Sequence, residues 1–495
     1  MSNSTTETET SHAKIDMLHG SIWNKLPRYA LPVAATAILE QLFNASDIAV
    51  VGNFSAGDKT VAVAAVGANS PIIGLILNLF IGIALGANVV IANAIGRKDM
   101  ESVHKAVHTS IVMAVLGGII VTLLGELIAG KLMGILNIPD EVYPYALQYL
   151  RIYLLGMPVI FLYNFEAAIF RSIGDTKVPL QALLISGVLN VIMNFFFVMV
   201  LHMAVNGVAI ATVLSNVVSS LLLLYKLIRT DKCVRVELRQ LKMHRHSLIR
   251  IIQIGLPAGI QSAVFAVANI VIQTAINSLG TVVIAASSAA FNIEILAYDV
   301  LNSFSQACTT FVGQNYGAGN MKRCRRTLVL CLVEDAIASA VAIGLILFTG
   351  KFLLSIFNSD PQVIEIGYTR LVIIFSAYTF SMLYEVMSGY LRGFGISLVP
   401  ALLTTVGVCG IRIFWIYTIF QHSRTLCWCI RSVLQQLPFS SALHCFAIAH
   451  PNDIKPESQK QNKLKSAVWI SINGTFSFYM MFYRLAAMRS ARSFK

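Results

Sequence analysis

This sequence has little charge. Asp, Glu, Lys and Arg make up 12% of its 495 residues, about half the roughly 25% of an ordinary soluble protein. A water-facing globular surface cannot be built from so little charge, so a soluble class is excluded. The eight cysteines are scattered, several of them in apolar stretches. None has metal-ligand spacing, so neither a disulfide framework nor a zinc site is supported, and buried reduced thiols are expected. No GxxxxGK[ST] phosphate loop occurs, which excludes a chain that burns ATP itself. His104 and His108 form an HxxxH step without the glutamate of HExxH, and read as a solvated helix start. The first 26 residues are polar and Ser/Thr-rich. They lack the charged-then-apolar pattern of a signal peptide and read as a disordered cytosolic lead.

What is there is apolar: 56% of residues are hydrophobic. They are gathered into runs near 27–51, 61–90, 106–129, 144–168, 179–201, 205–228, 248–278, 282–312, 327–350, 363–390 and 398–420. Each is about as long as the ~20 residues a helix needs to cross a bilayer. These eleven runs, numbered here as helices 1 to 11, make the chain an all-α polytopic membrane protein. The net charge of +13 is unevenly placed. With a cytosolic N-terminus, the inside loops hold nearly all the Lys and Arg. The outside loops hold only Lys59, Lys131 and Lys351. That asymmetry predicts the topology, in the plasma membrane. The basic loop from Lys226 to Arg250 reads as a neighbour of anionic lipid, with no nucleic-acid partner expected.

Sliding the chain on itself by 221 residues brings IANAIGRKDM (91–100) onto VGQNYGAGNM (312–321), and FRSIGDTKVP (170–179) onto LRGFGISLVP (391–400). Gly96 then meets Gly317, Arg171 meets Arg392 and Gly174 meets Gly395. The offset spans an even number of helices, so the halves enter the membrane in one direction and form parallel repeats. The expected organisation is a lead (1–26), a six-helix bundle (27–228), a basic cytosolic linker (229–247), a second bundle (248–450) and an atypical tail (451–495). In repeats of this kind substrate and coupling-ion sites lie near the midplane between bundles that rock against each other.

Ionisable residues at a helix centre cost about 2.5–3.5 kcal/mol on insertion scales, so they face the protein interior or a wet cavity. Helix 1 carries Glu40, Asn44 and Asp47 at i, i+4 and i+7, on one face. Carboxylates with an amide suit a proton or a hard cation; a polar stripe lining a hydrated cavity is the structural alternative. Helix 5 adds Asn190 and Asn194, and helix 6 adds Thr212, each by itself as well explained as interhelical glue. Glu166, Glu294 and Glu385 are candidates for the polar interior. The helix charges being mainly acidic, cationic cargo is expected.

LPVAATAILEQLFNASDIAVVG, RSIGDTKVP, LNVIMNFFFV, GLPAGIQSAVFAVANIVIQ, VGQNYGAGN and RIFWIYTIF occur in this order over residues 25 to 420. In that combination the chain resembles the multidrug and toxin extrusion family of secondary transporters. The resemblance implies twelve helices in two bundles. It implies no cofactor and no enzyme activity, but export of cationic amphipaths against a proton or sodium gradient. It also implies a first-bundle cation site of Asp47, Asn190 and Thr212, able to hold sodium. The family's helix 5 aspartate is replaced by Asn194, and Glu40 stands as a candidate substitute for that charge. Phe265 falls where other members carry a helix 7 glutamate, which points to a DinF-like branch coupling in the first bundle. A monomer is expected.

The resemblance stops after Phe420. A twelfth helix is due near 426–449, but Arg431, Gln435, Gln436 and Pro438 interrupt it. A reading-frame shift in the gene and a natural divergent tail both account for this. An inactive product, a lipid-linked saccharide flippase of the same architecture and a membrane-embedded enzyme are the alternatives to an exporter. No Ser/His/Asp pattern at matched depth supports the last.

Overall fold

Apolar runs cannot leave backbone N–H and C=O groups unpaired in lipid, so they fold as helices. The computed structural model describes residues 15–55, 58–135, 138–230, 233–376 and 378–422. Residues 1–14, the expected twelfth helix and the tail 451–495 lie outside the described residues. The first half contains α1 (Leu26–Phe54), α2 (Lys59–Gly96), α3 (Met100–Ile135), α4 (Tyr143–Leu155), α5 (Met157–Ser172), α6 (Lys177–Phe195) and α7 (Ala204–Arg229). The second contains α8 (Arg245–Asn277), α9 (Thr281–Gly317), α10 (Met321–Phe357), α11 (Pro361–Ser376), α12 (Tyr378–Gly393), α13 (Leu398–Leu403) and α14 (Ile411–His422). Wide π turns continue α6 over Phe196–Val200 and join α13 to α14 over Thr404–Gly410.

Ten spans among the described residues are long and apolar enough to cross a membrane when each bent pair counts as one. α1 has the length, 29 residues, but spends part of it on Glu40, Asn44 and Asp47. The pairs α4–α5 and α11–α12 bend by 50° and 49°. Large side chains such as Leu127, Phe348 and Phe352 stand exposed on the outer faces, as lipid contact requires.

The repeat is visible in the backbone. Gly174 and Gly395, 221 residues apart, both close a helix in the left-handed region, at φ 83° and 79°. In each turn the next residue's N–H returns to a carbonyl five positions earlier, Asp175 to Phe170 at 3.0 Å and Ile396 to Leu391 at 3.0 Å, as in a Schellman cap. Lys98 and Gly319 repeat the same turn at φ 58° and 73°. Lys98 therefore adopts a conformation that its counterpart reaches with glycine.

Between the lobes the contacts are reciprocal, as a two-fold axis demands. A Cβ on Gly96 would lie 2.0 Å from the Gln314 carbonyl oxygen, and one on Gly317 would lie 2.1 Å from that of Asn93. Gly82 against Gly259 and Gly86 against Gly255 bring α2 and α8 equally close. These approaches lie in the half of the molecule nearer the Lys- and Arg-rich loops, called here the basic end. At Gly67 and Gly74, toward the far end of α2, a Cβ would meet nothing within 4 Å. The lobes are therefore clamped at the basic end and diverge beyond it. Side chains complete the clamp. The Tyr29 hydroxyl and Thr310 Oγ1 are 2.8 Å apart, Gln314 Nε2 donates to Ser172 O at 2.7 Å, and Asn93 Nδ2 donates to Gly393 O at 3.2 Å.

Two expectations need correction here. The lead is not disordered over its whole length. Met17 and Ile22 are buried against the second lobe. The carbonyls of Met17, His19 and Gly20 accept from the Arg323 guanidinium at 3.0, 3.1 and 2.9 Å. A five-donor fork can order a short polar segment where apolar patterning gives no sign of it. Nor is the HxxxH step of α3 solvated throughout. His108 is buried, and its Nε2 accepts from the Glu237 N–H at 3.1 Å, while Thr109 Oγ1 accepts from the His244 N–H at 3.1 Å. The linker thus lies folded on the first lobe as the lead lies on the second.

Candidate functional site

α1, α6 and α7 bring one carboxylate and three neutral polar side chains together inside the first lobe. Asp47 is buried, and both of its oxygens are engaged. Asn194 Nδ2 donates to Oδ1 at 2.5 Å and Thr212 Oγ1 donates to Oδ2 at 3.0 Å. Asn194 Nδ2 also reaches Asn190 Oδ1 at 3.2 Å. The Thr212 hydroxyl has one hydrogen and a second acceptor, Val208 O at 2.9 Å, so the carboxylate shares it with the helix backbone. Asn194 Oδ1 is buried without a partner. An orphaned buried acceptor of this kind calls for a proton donor or a cation.

The spacing explains the convergence. Asn190 and Asn194 are i and i+4 on α6 and share a face, and that face meets Asp47 on α1. The cluster contains a single carboxylate, Asp47, and can exchange one proton or one unit of cation charge. Sodium would draw on Asp47, Asn190 Oδ1, Asn194 Oδ1 and Thr212 Oγ1, all hard oxygens. No group of three His, Cys, Asp or Glu side chains converges among the described residues, so the donor set does not resemble a transition-metal site.

A cavity of about 140 Å³ opens onto this cluster, lined among others by Glu40, Phe43, Asn44, Asp47, Tyr153, Asn190 and Thr212. Glu40 thus shares the cavity with Asp47 but does not join its hydrogen bonds. Seven residues separate them on α1, about 10 Å along the axis. The electrostatic neighbours of Glu40 are Arg171 and, across the lobes, Asp299. Asn44 is exposed on the cavity wall.

The remaining candidates fall elsewhere. Glu166 is buried between helices, accepting from Ser220 Oγ at 3.0 Å. Glu385 accepts from the Tyr298 hydroxyl at 3.2 Å, and Glu294 faces Arg370 Nη2 at 3.4 Å, both within the second lobe. Three arginines inside this lobe went unrecognised. Arg370, Arg392 and Arg412 are 7%, 8% and 6% exposed. They stand among the acids Glu294, Asp299, Glu334, Asp335 and Glu385, so the interior of this half is acidic but mixed. The signal was available, since Arg370 and Arg412 sit inside apolar runs as conspicuously as any glutamate. The guanidinium of Arg412 lies 4.9 Å from the centre of the Phe265 ring.

Two parallel-repeat lobes, clamped at one end and carrying a buried carboxylate cluster on a cavity, define an alternating-access membrane transporter. The MatE family profile matches residues 32–196 and 257–418, and the chain belongs to that family. Among its relatives, the multidrug resistance protein NorM of Thermotoga maritima is 28% identical over 404 residues, covering 79% of this chain and 84% of that one. The multidrug resistance protein YoeA of Bacillus subtilis is 25% identical over 403 residues, covering 79% and 86%. A MATE family multidrug resistance transporter solved in an outward-facing conformation superposes with a TM-score of 0.81 at 22% identity, over 88% of this chain and 97% of that one. A transporter of the wider superfamily from Pyrococcus furiosus gives 0.82 at 22% identity, over 89% and 98%.

Proposed function

We propose that the protein is a secondary active exporter of amphipathic drugs or toxins, in which Asp47 gains and loses a proton or sodium ion as the lobes rock. The observation that carries this is the convergence of Asn194, Asn190 and Thr212 on one buried carboxylate beside a cavity. Charge state and geometry are coupled there. Two donors hold the ionised carboxylate, and neutralising it releases Asn194 and Thr212, which lets α1, α6 and α7 repack.

With the N-terminus in the cytosol, as the loop charges favour, the clamped basic end is the cytosolic end and the conformation is outward-facing. A positively charged part of the cargo is then received next to Glu40 and Asp47. The cluster's single carboxylate favours one coupling ion per cycle, with the chain working as a monomer in the plasma membrane.

The test is efflux of ethidium from proteoliposomes under separately imposed proton and sodium gradients. Wild-type protein is expected to respond to one of them, and Asp47→Asn to respond to neither while inserting normally. Gradient-driven efflux retained in Asp47→Asn would refute the assignment. Asn is of nearly the same volume and keeps a hydrogen-bond acceptor, so folding is little disturbed.

A further inference from the structure

We propose that the second lobe holds an anion-binding subsite built on Arg412 and Arg370, so that the cargo carries a carboxylate or phosphate in addition to its cationic part. The inference rests on the transporter reading but not on coupling at Asp47.

Arg412 and Arg370 are both more than nine-tenths buried, and the Nε of each has no partner. Arg370 Nη1 donates to the Ser287 carbonyl at 2.8 Å and Nη2 faces Glu294 Oε2 at 3.4 Å. Arg412 Nη1 reaches Asn269 Oδ1 at 3.5 Å, and its guanidinium packs on Phe265. Asn269, Ser287 and Phe265 are neutral. Glu294 is the acid within electrostatic reach of both guanidiniums, so among the described residues one carboxylate serves two cations. The other acids of this interior lie apart from them: Glu385 beside Arg392, Asp299 toward Glu40 of the first lobe, and Glu334 and Asp335 on α10. A buried guanidinium without a counter-ion costs several kcal/mol after relaxation. A fork with unused N–H groups is shaped for the two oxygens of a carboxylate or phosphate.

Position gives the charge its meaning. Asp47 lies seven residues, about 10 Å, from the far end of α1, and Arg370 lies nine residues, about 13 Å, from the far end of α11. Both are in the half where the lobes diverge. The wide turn Thr404–Gly410 inserts one residue into a helix that is regular at the corresponding point of α6. Past it the repeat offset becomes 222, and Arg412 falls on the position of Asn190. Such π bulges commonly serve to re-aim a side chain at a functional site. Arg412 of the second lobe thus stands at the position that Asn190 holds in the cation cluster of the first.

Rhodamine B and its ethyl ester test this, since they share a cationic dye and differ in one free carboxylate. Binding is read by fluorescence anisotropy on the full chain in phosphatidylcholine nanodiscs, with no gradient, so failed coupling at Asp47 does not affect the readout. Rhodamine B is expected to bind about tenfold tighter than the ester, the order of one charge-assisted hydrogen bond. Arg412→Gln should abolish that preference and leave ester binding unchanged. Glu294→Gln, which removes the competing carboxylate, should increase the preference, an effect opposite to that of a damaged fold. Repeating the titration with phosphatidylglycerol separates the two sources of anion. Loss of the preference there identifies a lipid phosphate as the occupant, and an unchanged preference identifies the cargo's own acid. Equal binding of the two dyes by wild-type protein in phosphatidylcholine, or an equal loss of both in Arg412→Gln, overturns the proposal.

Discussion

The two lobes share a backbone and differ in what they bury. The polar cluster of the first closes one carboxylate, Asp47, inside two amides and a hydroxyl, while the second buries three arginines among tyrosines and acids that include Asp299, Asp335 and Glu385. The turns at Gly174 and Gly395 repeat to within a few degrees, and those at Lys98 and Gly319 repeat at φ 58° and 73°. The frame departs from the repeat at the wide turn Thr404–Gly410. Elsewhere the difference comes from side chains placed on equivalent scaffolds. A duplicated fold can hold opposite charges because its mechanical parts, the glycine clamp and the helix caps, are separate from its chemical ones.

The clamp is where the symmetry is easiest to break. Valine at Gly317 puts a branched side chain where even a Cβ would sit 2.1 Å from the Asn93 carbonyl oxygen. Overpacking costs about 1–3 kcal/mol, so the ratio of clamped to open molecules should fall by roughly 5- to 150-fold. Cross-linking of cysteines placed at Ser172 and Gln314, in a background freed of native cysteine, should fall with it. Gly74→Val, where space is open, should leave the yield unchanged. Equal yields in both variants would mean that the glycines do not hold the lobes together.

A smaller change sharpens the chemical contrast. Asn194→Asp adds a second carboxylate in direct contact with Asp47, and two such groups cannot both ionise at that distance. The pair should keep one proton throughout and exchange the other, leaving the Hill slope for protons in proteoliposome transport at about 1. A slope of about 2 would show that both carboxylates ionise during the cycle.

The smallest expected effect concerns the one turn in which the halves differ in residue type. Lys98 at φ 58° bears the left-handed penalty that Gly319 avoids, about 1–2 kcal/mol. Lys98→Gly removes that penalty but frees the unfolded chain. A net gain of up to about 1 kcal/mol is expected, read as a slightly higher midpoint in a thermal scan of detergent-solubilised protein. A lower midpoint would show that the lysine side chain makes a compensating contact.

Much of this was legible in the sequence because it is periodic. Apolar runs of bilayer length gave the helices, and a constant offset gave the repeat and its parallel sense. The helix 1 face and the i, i+4 pair of helix 5 gave Asp47, Asn190 and Asn194. Less legible were features carried by single residues without a partner nearby in sequence. Glu40 shares a face with Asp47, yet its helical rise removes it from the cluster. Met17 and Ile22 are too few to form a pattern, and their burial depends on Arg323, about 300 residues away.

The sequence by itself determined that the chain spans a membrane in two parallel halves, because hydrophobic length and local helix geometry act over short distances and leave periodic traces. Only the tertiary structure decided which polar groups share a cavity, where the lobes touch and how buried arginine is balanced by acid. Those outcomes depend on distances between helices far apart in the chain, and in a low-dielectric interior a few ångströms separate an ion pair from an open site.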